Sequence, residues 1–376
     1  MSIVTELTNR YNALQALMKE KDLDMVVFPG NSSTGPLHLG NFRYFTDVLC
    51  YYHLQAFVAR KDKPASVCVG SILHIEGLKL RGFEDLRISP DILGSVLKLI
   101  SEQPVKRLGT SLDMLPAQWM LAIKEQYPAI EFVDINKEVY ALRSVHTELE
   151  VERLRKCAAI ADTGFAAVCA MAKPGVKMRE LHAELDNAMK KAGAEQTFTL
   201  MSNGRFKWYT NGLPCIQGFN VNDDRVIKDG DNIGMEITPR YKGYWTQMVR
   251  TVCVGQPNDE LAKAHEEQLE TIEFTRKMLV PGTQLGDMLK AMFAHVEEKG
   301  YIPKLPFGHI VGVDLDEGGR GSLVSDFVLT KDSNVVLHPT MCLGDMDYSI
   351  FWGDSFLVKE GGGERLNQAS TELLVL

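Results

Sequence analysis

Residues 230–255, GDNIGMEITPRYKGYWTQMVRTVCVG, read as two strands joined by a turn, and they carry Glu236 and Gln247 eleven residues apart. The hairpin aims both side chains at one place. Burying Glu236 ionised and unpaired in the run IGMEIT would cost several kcal/mol, so this carboxylate requires a metal ion, a hydrogen-bond network or a raised pKa.

Outward from the hairpin, the chain repeats itself weakly. MAKPGVKMRELHAELDNAMKKAG (171–193) and MLVPGTQLGDMLKAMFAHVEEKG (278–300) align without gaps at an offset of 107, sharing Met171/Met278, Pro174/Pro281, Gly175/Gly282 and Gly193/Gly300. Each unit reads as a long helix, a Pro-Gly turn, a second amphipathic helix and then strands. Two α/β halves related by a pseudo-twofold would enclose a cleft between their strands. The first half brings Glu236 and Gln247; the second brings His309 in FGHIVG, His338 in VVLHPTM and Asp354 in FWGDSFLVKE.

Upstream, helices alternate with short apolar segments read as strands: DMVVFPG, RYFTDV, LQAFVAR, ASVCVG, RLGTS and AIEFVD, with helices near 90–101 and over 115–126. This indicates an α/β domain with a mixed sheet over 1–145. Thr147-Glu148-Leu149-Glu150 is a capping box opening the long helix LEVERLRKCAAIADTGFAAVCAMA. The second domain therefore runs over 146–376.

Bulk properties bound the function. The 376 residues are 45% hydrophobic and 24% charged, enough for two full cores. A net charge of −8, spread without an acidic tail or basic block, suggests neither nucleic acid nor an anionic membrane surface and leaves a small-molecule partner. No apolar run reaches the ~18–20 residues of a membrane span, and the opening helix is polar and amphipathic, unlike a signal peptide. The expected location is the cytoplasm. Seven cysteines without C-x-x-C spacing argue against a disulfide framework or a thiolate zinc site.

Over nearly its whole length the chain resembles the creatinase / aminopeptidase P / prolidase superfamily. RYFTDV is similar to the Asn-x-x-Tyr-Leu-Thr-Gly segment of its N-terminal domain, and the 230–255 hairpin to its Gly-Asp … Asp … Tyr-x-Gly-Tyr … Asp-x-x-Arg-Thr hairpin. GHIVG resembles Gly-His-x-x-Gly, LHPTM the Glu-Pro-Gly strand, and GDSFLVKEGGGERL the final Glu-Asp strand and hairpin. The resemblance implies a creatinase-type N-terminal domain, a C-terminal pita-bread fold and a homodimer.

The departures bear on function. The resemblance implies five ligands for two metal ions, and carried over by position these are Glu236, Gln247, His309, His338 and Gly353; only the histidine at 309 is unchanged. Bridging two dications about 3.5–4 Å apart needs several carboxylates, which disfavours a dinuclear Xaa-Pro peptidase. The metal-free relative, creatinase, places its histidine eleven residues before the Gly-Asp of the hairpin; that position is Phe219, which cannot act as a base.

Glu236, His309 and His338 nevertheless form a two-histidine, one-carboxylate set suited to one divalent metal, Fe, Mn, Ni or Zn, with Gln247 as a hydrogen-bond partner. Without metal, the same residues serve as acid, base and oxyanion partner. Candidate substrate contacts are Tyr209, Cys215, Gln217, Phe219, Asp316, Arg320 and Asp354, with Glu317 beside them; Met341 and Cys342 read as core. The reading is a non-peptidase enzyme acting on a small nitrogen-containing metabolite by C–N hydrolysis or elimination. Its alternatives are a metal-free creatinase-like amidinohydrolase, a mononuclear non-haem iron oxygenase and a catalytically inactive binding module.

Overall fold

The computed structural model describes residues 2–30, 40–49, 54–203, 209–210, 213–214, 224–304, 308–317, 322–343 and 348–376. They form two compact units, Met1–Arg143 and Ser144–Leu376. In the first, a six-stranded mixed sheet runs in the order Asp85–Ile88, Ser66–Val69, Gln55–Arg60, Met25–Gly30, Arg107–Thr110, Glu131–Asp134.

One segment departs from expectation: RYFTDV contributes to the helix Gly40–Thr46 instead of a strand. All of Gly40–Thr46 is buried, so no polar alternation reports its period. Phe45 stacks against Phe28 at 5.4 Å and Phe57 at 5.1 Å, and Asp47, at φ 52°, ends the helix. Packing on both sides outweighs the strand preference of the aromatic residues.

The second unit repeats a helix–turn–helix–strand module. Glu148–Met171, opened by the expected Thr147 capping box, is followed by Met178–Lys191 and the strand Gln196–Asn203, antiparallel to Asn232–Tyr241. Asp259–Arg276 is followed by Leu285–Glu298 and Ile302–Lys304, antiparallel to Thr340–Leu343. The shared glycines adopt matching left-handed turns, Gly175 at φ 94° and Gly282 at 92°. Gly175 N–H donates to Ile227 O at 2.9 Å as Gly282 N–H does to Leu329 O at 2.8 Å. The sequence duplication is therefore a structural one, and the 102 residues between Ile227 and Leu329 also separate Glu236 from His338.

Among the described residues nothing stands near a Cβ added at Gly175 or Gly282, so alanine at either costs only backbone strain. Each Gly→Ala change is expected to destabilise by about 1–2 kcal/mol, equally for the two. Urea melts that show a loss at one turn alone would count against their equivalence.

Both halves bury one sheet face under helices, Ile233, Met235 and Ile237 against Leu181 and Leu185, Met341 and Ile350 against Leu261 and Val296. The opposite faces meet in a cluster of Leu200, Val249, Cys342 and Phe351. Gly353 and Val249 exchange backbone hydrogen bonds of 3.0 and 2.8 Å across the halves. The polar candidates lie around this seam.

Candidate functional site

Glu236 sits on Asn232–Tyr241, directly opposite Val249 of the seam cluster. Gln247 lies just before the return strand and is fixed by Ser355, whose Oγ accepts from Gln247 N–H at 3.0 Å and donates to Gln247 O at 3.1 Å. Its side chain then links two partners. Gln247 Nε2 donates to Glu236 Oε2 at 3.1 Å, and Gln247 Oε1 stands 3.1 Å from His309 Nε2. An amide oxygen only accepts, so His309 carries its proton on Nε2 and donates to Gln247.

His309 occupies the short strand Gly308–Ile310. Its glycine neighbour is required by close approach: a Cβ at Gly308 would lie 2.4 Å from Val336 O. The chain then folds back over 312–317, where Glu317, buried, bridges to Ile310 and accepts from Asp314 N–H at 2.8 Å. Asp316 stands partly exposed in this loop. His338 lies at the kink between Asn334–Leu337 and Thr340–Leu343, its ring 5.3 Å from His309 and 5.5 Å from Phe351. Gln268 holds the kink by donating to Pro339 O.

Burial acts on the two titratable ends of the amide bridge in opposite senses. It pushes the Glu236 carboxyl up to about 7 and the His309 imidazole down to about 4, against the opposing pull of the Ile310 and Leu315 carbonyls. Both favour the neutral form. Glu236 keeps some accessible surface, whereas Gln247, His309 and His338 are buried. Glu236 is thus the member of this row that reaches accessible surface.

This donor set does not fit the metals of the resemblance. Among the described residues no three His, Cys, Asp or Glu side chains group as a metal site requires. Of the expected set of Glu236, His309 and His338, Glu236 Oε2 and His309 Nε2 are both held by the Gln247 amide. The fifth position is closed as well. A Cβ at Gly353 would fall 2.2 Å from Leu337 O and 2.6 Å from His338 Cβ.

Asp354, expected as a substrate contact, is instead a structural anchor. It is fully buried between Arg250, at 2.9 Å, and Arg365, at 2.5 Å, and Arg250 also donates to Gly353 O at 2.9 Å. The pairing aims Asp354 away from the Glu236 row. Met341 and Cys342 are core, as expected. Cys215, Gln217, Phe219 and Arg320 lie outside the described residues, as does the side chain of Tyr209. Sequence reasoning missed Ser355, which orients Gln247, and Thr238 and Thr340, which the 102-residue offset that pairs Glu236 with His338 would have singled out.

Residues 152–360 match the family model of Metallopeptidase family M24, and residues 10–145 that of the Creatinase/Prolidase N-terminal domain. The chain is 27% identical over 255 residues to the Xaa-Pro dipeptidase of Pyrococcus furiosus, covering 67% of this chain and 71% of that protein. It is 23% identical over 347 residues to the creatinase of a Bacillus species, covering 89% and 81%. In fold it resembles the X-Pro aminopeptidase of Thermotoga maritima, with a TM-score of 0.84 at 21% identity over 97% of this chain and 99% of that one. The prolidase of Pyrococcus horikoshii gives a TM-score of 0.83 at 21% identity over 97% and 100%.

Proposed function

The chain belongs to Metallopeptidase family M24, and from that premise we propose that it is a hydrolase that has left peptidase chemistry and cleaves a C–N bond in a small nitrogen-containing metabolite without a metal ion. The carrying observation is Gln247, whose neutral amide joins Glu236 to His309 where a cation would need both. A homodimer and a cytoplasmic location belong to the same proposal.

Glu236 is the acid–base residue. A carboxyl held near pH 7 exchanges protons readily with water and with a leaving nitrogen. As carboxylate it takes a proton from water while the water oxygen bonds to the substrate carbon. It then returns that proton to the nitrogen as the C–N bond breaks, leaving an acid and an amine. Gln247 orients the carboxyl through Oε2, and neutral His309 holds the amide in the required sense. His338, edge-on to His309, is assigned to the oxygen that gains charge.

Protein prepared without added metal is expected to carry well under one equivalent by elemental analysis. It should leave Xaa-Pro dipeptides intact with Mn²⁺ or Co²⁺ added and turn over a member of a small amide and ureide panel. Glu236→Gln should slow that turnover about 10²–10⁴-fold. Two metal equivalents together with Xaa-Pro cleavage would overturn the proposal.

A further inference from the structure

Two buried hydroxyls at the seam between the halves have no part in the chemistry above. Thr238 and Thr340 are each fully buried, and neither Oγ1 has a hydrogen-bond partner among the described residues. Both lie on the face of the seam. Thr238 is two residues from Glu236 along one strand and directly opposite Phe198, which packs on the seam cluster. Thr340 is directly opposite Phe351, whose ring meets His338.

The positions are also equivalents. The 102 residues that separate Glu236 from His338 separate Thr238 from Thr340, so each half of the repeat sets a hydroxyl two residues beyond its titratable group, as Glu236-Ile237-Thr238 and His338-Pro339-Thr340. An unpaired buried hydroxyl lowers stability, and two at matched places on one seam leave polar groups that a bound guest would satisfy.

We propose that Thr238 and Thr340 are substrate-binding residues, a pseudo-symmetric pair of hydroxyls that take the carbonyl and N–H of a compact, uncharged amide or ureide. A hydroxyl both donates and accepts, which suits a group that carries one acceptor and one donor. A carboxylate guest would call for a guanidinium or ammonium. Arg240, on the same strand face, is tied to Gly243 O at 3.2 Å and Gln196 Oε1 at 2.9 Å. An ammonium guest would call for a carboxylate of its own, and Glu236, tied through Oε2 to the Gln247 amide, is the one assigned to the proton transfer. The two hydroxyls flank the apolar cluster of Leu200, Val249, Cys342 and Phe351, surroundings that suit a neutral group over a charged one.

This assignment rests on the C–N hydrolase reading and names its substrate class. Ligand-observed NMR titrations with N-methylacetamide, methylurea, acetate and methylammonium test it on the wild type, Thr238→Val, Thr340→Val and the double variant, with thermal melts of each. The two neutral probes should bind, each single variant should weaken them about tenfold, and melting temperatures should hold or rise as the orphaned hydroxyl is removed. Three results would overturn the assignment: charged probes binding as tightly, no saturable binding of the neutral probes, or variants that lose melting temperature with probe affinity unchanged, as hydroxyls serving only the fold would. Elemental analysis keeps the two readings apart. Neutral probes held through these threonines by a chain with two metal ions would sink the metal-free hydrolase and leave the hydroxyl pair standing; a metal-free chain that ignores the probes would do the reverse.

Discussion

Gln247→Asp is expected to turn the amide bridge into a metal site and to make the fold dependent on filling it. The substitution sets a second carboxylate beside Glu236, where the amide nitrogen now stands 3.1 Å from Oε2. Two buried like charges at that range destabilise by several kcal/mol unless one is protonated. Above pH 7, where Glu236 ionises, the variant without metal should therefore melt well below the wild type. With Zn²⁺ or Mn²⁺, two carboxylates and two imidazoles offer four ligands of suitable kind, and at a hundredfold excess over Kd binding should restore about 2.7 kcal/mol. The wild-type melting temperature should not respond to either ion. A wild type that gains stability at micromolar metal, or a variant blind to it, would show that Gln247 does not keep the cation out.

Much of the second unit was legible because its repeat is written in residues that only one geometry accepts. Gly175 and Gly282 stand at left-handed φ, and the Pro-Gly turns before matched helices carry that requirement openly. The hairpin was legible for a similar reason, since Lys242 and Gly243, both at positive φ, make a turn that fixes the register bringing Glu236 and Gln247 together. The helix Gly40–Thr46 was not legible, because complete burial erases the contrast that separates one period from another.

The site was legible as a set of positions and less so as chemistry. The resemblance points to Glu236, His309 and His338 as ligands, but an amide has two unlike ends, and which end meets which neighbour depends on Ser355 holding the backbone from another strand. Asp354 was misread for the same reason: its partners, Arg250 and Arg365, arrive from elements 104 residues before and 11 residues after it.

The pH dependence of stability should expose the amide bridge as a device that moves one proton. Glu236, raised from 4.5 to about 7, contributes stability that is present below pH 4.5 and lost as pH rises through 7. His309, lowered from 6.5 to about 4, contributes stability that is present above pH 6.5 and lost as pH falls through 4. Each contribution amounts to roughly 3 kcal/mol at its limit. Between pH 4.5 and 6.5 the unfolded chain carries the proton on the imidazole and the folded chain carries it on the carboxyl, so the proton count is the same and these two groups leave stability nearly flat. Glu236→Gln removes one side of that balance. From pH 8 to 5.5 the variant should lose about 1–2 kcal/mol relative to the wild type, and His309→Gln should gain a similar amount over the same interval. Urea melts at the two pH values measure both. If the two variants followed the wild-type profile, the carboxyl and the imidazole would not be exchanging a proton on folding, and Glu236 would lose its claim to titrate near neutrality.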